Sequence, residues 1–247
     1  SGGRAPGPEP LLKALRKIKE ILDSVPVGQR LRSIDAHDIL CHSSDAVLAG
    51  GIRRSAFVAL FSPVDQLMLH CKSGNWAEQN PQRSRANNTA VFLRNEITIA
   101  SFSAMWEALA NGKSGEPGIR LSNDLNMGGN PCLEISLTSF CNLVEVDTSD
   151  MYSQSELNHR VRMAARIATA QAGYTNFPLL RPIWRQKAEK EALIGVGLTG
   201  IVGGDVLNLN LREAAHIVLM ENAITSNAVG VRESERSTTV KPSGTAS

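Results

Sequence analysis

The chain has 247 residues, which is enough for one large domain or two small ones. It is 42% apolar and 20% charged, as soluble globular proteins are, and its net charge of +2 does not indicate a broad nucleic-acid-binding surface. No apolar run approaches the roughly 18 residues that a membrane helix needs, and the N-terminus has no secretory pattern. We therefore expect a cytoplasmic protein that binds neither membrane nor nucleic acid.

The predicted elements alternate between helices and strands along the whole chain. Helical spacing of apolar residues covers 11–22, 35–48, 63–72, 102–110, a long segment after 153, and 211–229. Extended segments are predicted at 57–61, 89–93, 118–121, 132–137, 142–146, 194–198 and 238–241. This alternation predicts an α/β fold with largely parallel strands. Neither end resembles a natural domain end, so we expect residues 1–247 to be one internal fragment of a larger domain.

The four cysteines are Cys41, Cys71, Cys132 and Cys141. They form no C-x-x-C pair, and with only five histidines the sequence gives little support for a zinc site. In a reducing compartment each cysteine is either packing or deliberate chemistry.

The segment around Cys132 has an unusual composition, Asn130-Pro131-Cys132-Leu133-Glu134. Pro131 restricts the backbone on both sides of itself, so we expect a stiff loop. If the segment is extended, Asn130, Cys132 and Glu134 share one face, because residues two apart in a strand point the same way. From composition alone, a catalytic thiol and a satisfied buried loop remain equally open.

Four segments together resemble ribonucleotide reductases. Residues 130–134, followed by Cys141-Asn142-Leu143, resemble that family's active-site loop. Residues 1–8, with Gly2, Gly3 and Arg4, resemble its first effector loop in the form found in adenosylcobalamin-dependent members. Residues 49–56 resemble its second, specificity-determining loop, and residues 238–245 its substrate-phosphate loop. The second loop contributes Gly50, Gly51, Ile52, Arg53 and Arg54, and the phosphate loop contributes Pro242, Ser243, Gly244 and Thr245. The four segments occur in the family's order.

The resemblance implies a fold and a mechanism. The chain would be part of a ten-stranded α/β barrel, with Cys132 on a loop through its centre. Cys132 would become a thiyl radical that abstracts the ribose 3′ hydrogen, Glu134 would be the general base for the 3′ hydroxyl, and Asn130 would hold the substrate. Cys141 would be one of two thiols that reduce the sugar, and its partner would lie outside this sequence. Cys41 and Cys71 match no family cysteine and are interpreted as packing.

The resemblance also implies ligands and partners. The substrates would be ribonucleoside di- or triphosphates, the effectors deoxynucleotides or ATP, and the reductant a thioredoxin-like protein. The amino-acid sequence of residues 1–8 favours adenosylcobalamin as the radical source, and a separate diiron subunit is the alternative. Two departures from the family pattern stand out: Leu133 replaces a usual glycine, and the spacing from Cys132 to Cys141 is short.

Two other functions stay open from the sequence. Gly195-x-Gly197-x-x-Gly200 matches the dinucleotide fingerprint of nicotinamide-dependent oxidoreductases, with Glu221 at about the expected distance. However, the residues before Gly195 are charged, and Gly203-Gly204 interrupts the helix that should follow. A non-catalytic module that only senses nucleotides is the third possibility.

Overall fold

A computed structural model describes residues 7–49, 52–53, 56–140 and 142–240. The chain divides into two compact units, Ser1–Asn126 and Met127–Ser247. Both mix helices with parallel strands, so the predicted α/β class is confirmed. No helix in the described ranges is long and apolar enough to cross a membrane.

The first unit contains a three-stranded parallel sheet in the order β3-β4-β5. Its elements are α1 (Glu9–Ser24), α2 (Ser33–Asp45), β1 (Leu48–Ala49), β2 (Ile52–Arg53), β3 (Phe57–Phe61), α3 (Gln66–Leu69), α4 (Trp76–Gln79), a 3-10 helix (Pro81–Arg85), β4 (Ala86–Leu93), α5 (Ile99–Gly112) and β5 (Gly118–Ser122). Phe61, Ala90 and Phe92 from the strands pack with Met68 and Met105 in the core of this unit. The apolar strand 57–61 was predicted with these bounds.

Two helix predictions in the first unit need correction. Residues 63–72 were predicted as one helix, but only Gln66–Leu69 is helical. Asp65 accepts the backbone N–H of Met68, and the following turn ends the helix at Leu69. The helix predicted at 35–48 ends at Asp45, with Ala46 at its C-cap.

The second unit is built on β8 (Asn142–Asp147) and β9 (Ile194–Thr199), which pair in parallel. Its other elements are β6 (Gly128–Gly129), β7 (Ser136–Leu137), α6 (Gln154–Ala172), α7 (Pro182–Glu191), a 3-10 helix (Val206–Asn208) and α8 (Leu211–Val229). Ser153 caps α6 by accepting the backbone N–H of Glu156, as predicted. Helix α7 was not predicted, because half of its residues are charged and it lacks an apolar stripe.

The β8–β9 pair has two different faces. Val146 and Val196 pack under α6 and α8, where Ala164, Ala165 and Ala168 let the backbones approach closely. Because side chains alternate along a strand, Leu143, Glu145, Gly195 and Gly197 lie on the opposite face. We call this opposite face the glycine face.

A third parallel segment, residues 236–239, lies along β9. The backbone N–H of Val196 donates to Ser237 O at 2.9 Å, and the N–H of Thr239 donates to Val196 O at 3.1 Å. This edge segment leads directly to residues 241–247, which lie outside the described part of the chain.

Candidate functional site

The segment around Cys132 is a tight turn rather than the extended strand that the sequence predicted. The backbone N–H of Leu133 donates to Asn130 O at 2.9 Å, so Pro131 and Cys132 are the two central residues of the turn. The correction has a physical reason. Proline is pre-set for the first central position of a turn, and asparagine is favoured just before it. Asn130, Cys132 and Glu134 therefore do not share a strand face.

The turn exposes Cys132, leaves Pro131 and Leu133 half-buried and buries Asn130. Cys132 is an exposed free thiol, whereas Asn130 is buried and its side-chain carbonyl accepts the backbone N–H of Ile135 at 3.4 Å. Leu133 has φ 60°, in the left-handed region. Glycine adopts this conformation without steric cost, and leucine does not. The structure thus has a glycine-like backbone at the position where the family that the sequence resembles usually has glycine.

Glu134 links the turn to the edge segment. Its backbone carbonyl accepts the hydroxyl of Thr239 at 2.9 Å across 105 residues of sequence. Both oxygens of its carboxylate are buried, and neither has a hydrogen-bond partner among the residues that the structure describes. A buried carboxylate without partners is costly, and such groups in native folds often mark binding or catalytic sites.

Within the described part of the second unit, further buried polar atoms also lack hydrogen bonds. They are the hydroxyls of Ser139 and Ser237 and the Nη1 nitrogen of Arg236. The Arg236 nitrogen lies 3.8 Å from the carboxylate of Glu235, so its charge is offset locally. We call Glu134, Ser139 and Ser237 the unpaired cluster.

Glu191 links these segments, a role that no sequence pattern indicates. Its carboxylate accepts the backbone N–H of Thr138 at 3.1 Å and the Thr138 hydroxyl at 2.6 Å. Its backbone carbonyl accepts the N–H of Glu235 at 3.0 Å. Glu191 is 5% exposed. In the sequence, Glu191 ends a run rich in charged residues, and such a run is typical of a solvent-exposed face.

The Gly195 fingerprint does not have the geometry of a dinucleotide site. Gly195 and Gly197 lie inside β9, where a Cβ atom would be 2.4 Å from Leu143 and 2.7 Å from the Glu145 carboxylate. No helix begins at Gly200, since the next α-helix starts at Leu211. Glu221 is buried in an ion pair with Arg166 rather than facing the glycines. The glycines make room for side chains of the neighbouring strands.

A second polar cluster lies in the first unit. His37 Nε2 lies 2.9 Å from the side-chain oxygen Oδ1 of Asn88, and the side-chain amide Nδ2 of Asn88 donates to the Cys71 sulfur at 3.0 Å. The Cys41 sulfur lies 3.6 Å from His37 Nδ1. Cys41 and Cys71 are both buried free thiols, so their predicted packing role is confirmed.

His37, Asp38 and Cys41 could in principle hold a metal ion, since one donor atom of each lies within 4.8 Å of the others. The chemistry opposes this. Asp38 already accepts Arg83 Nε at 2.8 Å and Nη2 at 2.7 Å. Burial, followed by the nearby Asp38 charge, raises the pKa of Cys41 to about 12, so the thiol stays protonated. We interpret the cluster as structural.

Several predicted site residues lie outside the described part of the chain. These are Cys141, the phosphate loop Pro242, Ser243, Gly244 and Thr245, and Gly2, Gly3, Arg4, Gly50, Gly51 and Arg54 of the effector loops. Ile52 and Arg53 are described by their backbone, which forms β2 and pairs antiparallel with β1. The roles of all these residues stay predictions.

The comparisons with known proteins point to one enzyme class. No family model matches the chain. The adenosylcobalamin-dependent ribonucleoside-triphosphate reductase of Lacticaseibacillus paracasei is 30% identical over 295 residues, which covers 99% of this chain and 38% of the relative. The enzymes of the same name from Lactobacillus delbrueckii subsp. bulgaricus and Lactobacillus leichmannii are 31% and 30% identical over 298 residues, 39% of each relative.

A solved structure agrees with these relatives. A crystal structure of a B12-dependent, class II ribonucleotide reductase matches the whole chain with a TM-score of 0.74 at 25% identity, over 40% of its own length. The chain is therefore homologous to a segment of the adenosylcobalamin-dependent ribonucleotide reductases, and the resemblance seen in the sequence is confirmed. It spans about two fifths of the length of the relatives that it matches. Their names specify adenosylcobalamin, in agreement with the cofactor predicted from residues 1–8.

Proposed function

We propose that the chain is part of the catalytic core of a cytoplasmic ribonucleotide reductase, which converts ribonucleoside di- or triphosphates to deoxyribonucleotides. The observation that carries this proposal is the contact between Glu134 and Thr239 at 2.9 Å. It brings the Cys132 turn beside the segment that runs into the predicted phosphate loop. Ribose chemistry and phosphate binding need this proximity, because one substrate must be held by both ends.

In the proposed reaction, the residues of the turn have different roles. Cys132, a free thiol, carries the thiyl radical and abstracts the 3′ hydrogen. Adenosylcobalamin, when bound, supplies that radical. Glu134 takes the proton of the 3′ hydroxyl; a carboxylate without hydrogen-bond partners has its lone pairs available for this. Asn130, held by its own bond to Ile135, positions the substrate.

The remaining roles follow the resemblance. Cys141 belongs to the thiol pair that reduces the sugar as the 2′ hydroxyl leaves as water, and a thioredoxin-like protein restores the pair. Residues 1–8 and 49–56 bind a deoxynucleotide or ATP effector that sets substrate choice. The ten-stranded barrel includes both units of this chain. The chain by itself is expected to form no product.

The test is turnover by the full-length protein. With a ribonucleoside triphosphate, adenosylcobalamin and a dithiol, we expect deoxyribonucleotide in the wild type and only background in Cys132→Ser. Because Cys132 is exposed, this variant should melt at the wild-type temperature. Cys71→Ser is the matched control: its thiol lies in the structural cluster, so turnover should persist below its lowered melting temperature. Deoxyribonucleotide formation by Cys132→Ser would refute the proposal.

A further inference from the structure

The hydroxyls of Ser139 and Ser237 are the basis of a further inference. These serines are 8% and 5% exposed, and neither hydroxyl has a hydrogen-bond partner in the described part of the chain. Other buried hydroxyls are used: Thr148 donates to Thr199 O at 2.8 Å, and Thr169 donates to Ala165 O at 2.7 Å. Leaving a buried hydroxyl unpaired is unfavourable, so two of them in the same unit as an unpaired carboxylate require an explanation.

Contacts shown by the structure link the segments that carry the three residues of the unpaired cluster. Thr239 bonds to Glu134, and Ser237 precedes Thr239 by two residues on the same extended edge segment, so their side chains share a face. Ser139 follows Thr138, which Glu191 binds through its carboxylate while its carbonyl holds Glu235 of the same segment.

We propose that Ser139 and Ser237 bind the hydroxyl groups of a ribose, next to Glu134. The proposal rests on the function proposed above and assigns two residues that position the sugar. A serine hydroxyl both donates and accepts, as each sugar hydroxyl does, whereas an ionised carboxylate only accepts. This combination suits a neutral group rich in hydroxyls. A phosphate is a poor fit, since the Glu134 carboxylate would repel it and the Arg236 charge is offset by Glu235.

Access to these oxygens requires a local shift, because they are closed off in the ligand-free fold. The residues just before Glu134 are an exposed Cys132 and a left-handed Leu133, so the inference places this shift in the turn that they form. Two ligands carry a ribose of this kind: the substrate ribonucleotide and the nucleoside of the adenosyl group.

The experiment measures ligand affinity and melting temperature in the full-length protein. The variants are Ser139→Ala and Ser237→Ala, and the probes are CTP, with effector saturating, and 5′-deoxyadenosine, each titrated calorimetrically. Losing one hydrogen bond to the sugar should weaken binding about 3- to 10-fold. The melting temperature should stay unchanged or rise, because the removed hydroxyl was unpaired in the ligand-free fold.

Ser234→Ala is the matched control on the same segment. The Ser234 hydroxyl accepts the N–H of Ile194 at 2.9 Å and donates to Arg236 O. Its removal should lower the melting temperature without a selective loss for either ligand. If Ser237→Ala does not fold, Ser237→Cys keeps the volume and weakens the hydrogen bond.

The outcomes identify the bound ribose or overturn the inference. Weaker binding of CTP identifies the substrate ribose as the ligand, and weaker binding of 5′-deoxyadenosine identifies the nucleoside of the cofactor. Unchanged affinity for both ligands in both serine variants overturns the inference and leaves the proposed function standing. If the wild type binds neither probe, the proposed function itself fails, and this inference fails with it.

Discussion

The two units treat their buried polar groups in opposite ways. In the described part of the first unit, no buried side-chain nitrogen or oxygen lacks a hydrogen-bond partner. Asp38, Arg83, His37 and Asn88 bond to each other or to nearby groups of the fold. In the second unit, the unpaired cluster remains unsatisfied beside the Cys132 turn. A satisfied network stabilises a fold, whereas an unsatisfied one retains bonding capacity for a ligand.

The Lys72 site strengthens this comparison. Lys72 is 5% exposed, yet its ammonium donates to Ala86 O at 2.6 Å and to the Glu116 carboxylate at 2.7 Å, and it lies 5.2 Å from the centre of the Trp76 ring. A buried lysine could be a catalytic group, but here its bonds go to the protein itself. Substitutions should therefore have different effects in the two units. Changes in the first unit should lower the stability of the fold, and changes in the unpaired cluster should lower activity.

The largest expected effect is on turnover in Glu134→Gln. We expect the rate of deoxyribonucleotide formation to fall by about 10²- to 10⁴-fold, because an amide cannot act as the general base. Substrate affinity should change much less, since a base acts in the transition state. Stability should hold or improve, because the amide removes a buried, unpaired charge. Single-turnover kinetics and urea unfolding measure the two effects.

The control for Glu134→Gln is a carboxylate whose bonds are all made within the fold. Glu116→Gln in the first unit should weaken the bond to Lys72 and lower stability, while any loss of turnover follows only from unfolding. Equal stability losses in the two variants would remove the distinction between the units.

The next largest effect is on stability in Arg83→Met. Both side chains of the Asp38–Arg83 pair are mostly buried, and both Asp38 oxygens accept Arg83 nitrogens. Removing one partner of such a pair strands the other, which costs about 3–5 kcal/mol. Urea denaturation should show this loss, and Arg83→Met combined with Asp38→Asn should recover part of it. A single variant as stable as the wild type would contradict the structural role of the network.

The same pair predicts an acid limit of stability. Burial alone would raise the pKa of Asp38, but hydrogen bonds from Arg83 and its neighbours lower it below its ordinary value. A carboxylate with a depressed folded pKa stabilises the fold above its unfolded pKa, about 3.9, and this contribution is lost as pH falls further. Wild-type stability should therefore decline below about pH 4, and Asp38→Asn should show a shallower decline.

The sequence predicted the elements with regular apolar spacing and failed where a few local contacts decide the conformation. The bounds of β3 and α8 were correct because an apolar run and a helical stripe are strong patterns. Helix α7 was missed because half of its residues are charged. Cys132–Leu137 was predicted as extended, although its first residues belong to a turn. That turn depends on one proline and one backbone hydrogen bond, which alternation does not detect.

The candidate site shows the same contrast between residues that a sequence pattern identifies and residues that only their contacts identify. Cys132, Glu134 and Asn130 were found from their residue types and from the resemblance to a family. Glu191, Ser139 and Ser237 were not, because a helix-end glutamate and two loop serines have no distinctive pattern. Their significance lies in which bonds they make or fail to make with residues distant in sequence, such as the 53-residue link from Thr138 to Glu191.

The smallest expected effect is in Leu133→Gly, where three contributions compete. Relieving the left-handed backbone of Leu133 should gain about 1–2 kcal/mol. The greater freedom of glycine in the unfolded chain costs about 0.5–1 kcal/mol, and the half-buried leucine side chain gives up part of the ~1.5–3 kcal/mol of a full burial. These nearly cancel, so we expect a change within about 1 kcal/mol in urea denaturation.

Leu137→Gly makes this comparison quantitative, because Leu137 is buried in β7 and has no left-handed backbone to relieve. It should lose at least about 3 kcal/mol, since burial and chain freedom are both lost and nothing is gained. A similar loss in Leu133→Gly would mean that the turn is not strained. A near-neutral Leu133→Gly with full turnover would mean that the turn keeps a glycine-compatible conformation despite the leucine. The departure from the family pattern at position 133 would then affect neither the net stability nor the chemistry of Cys132.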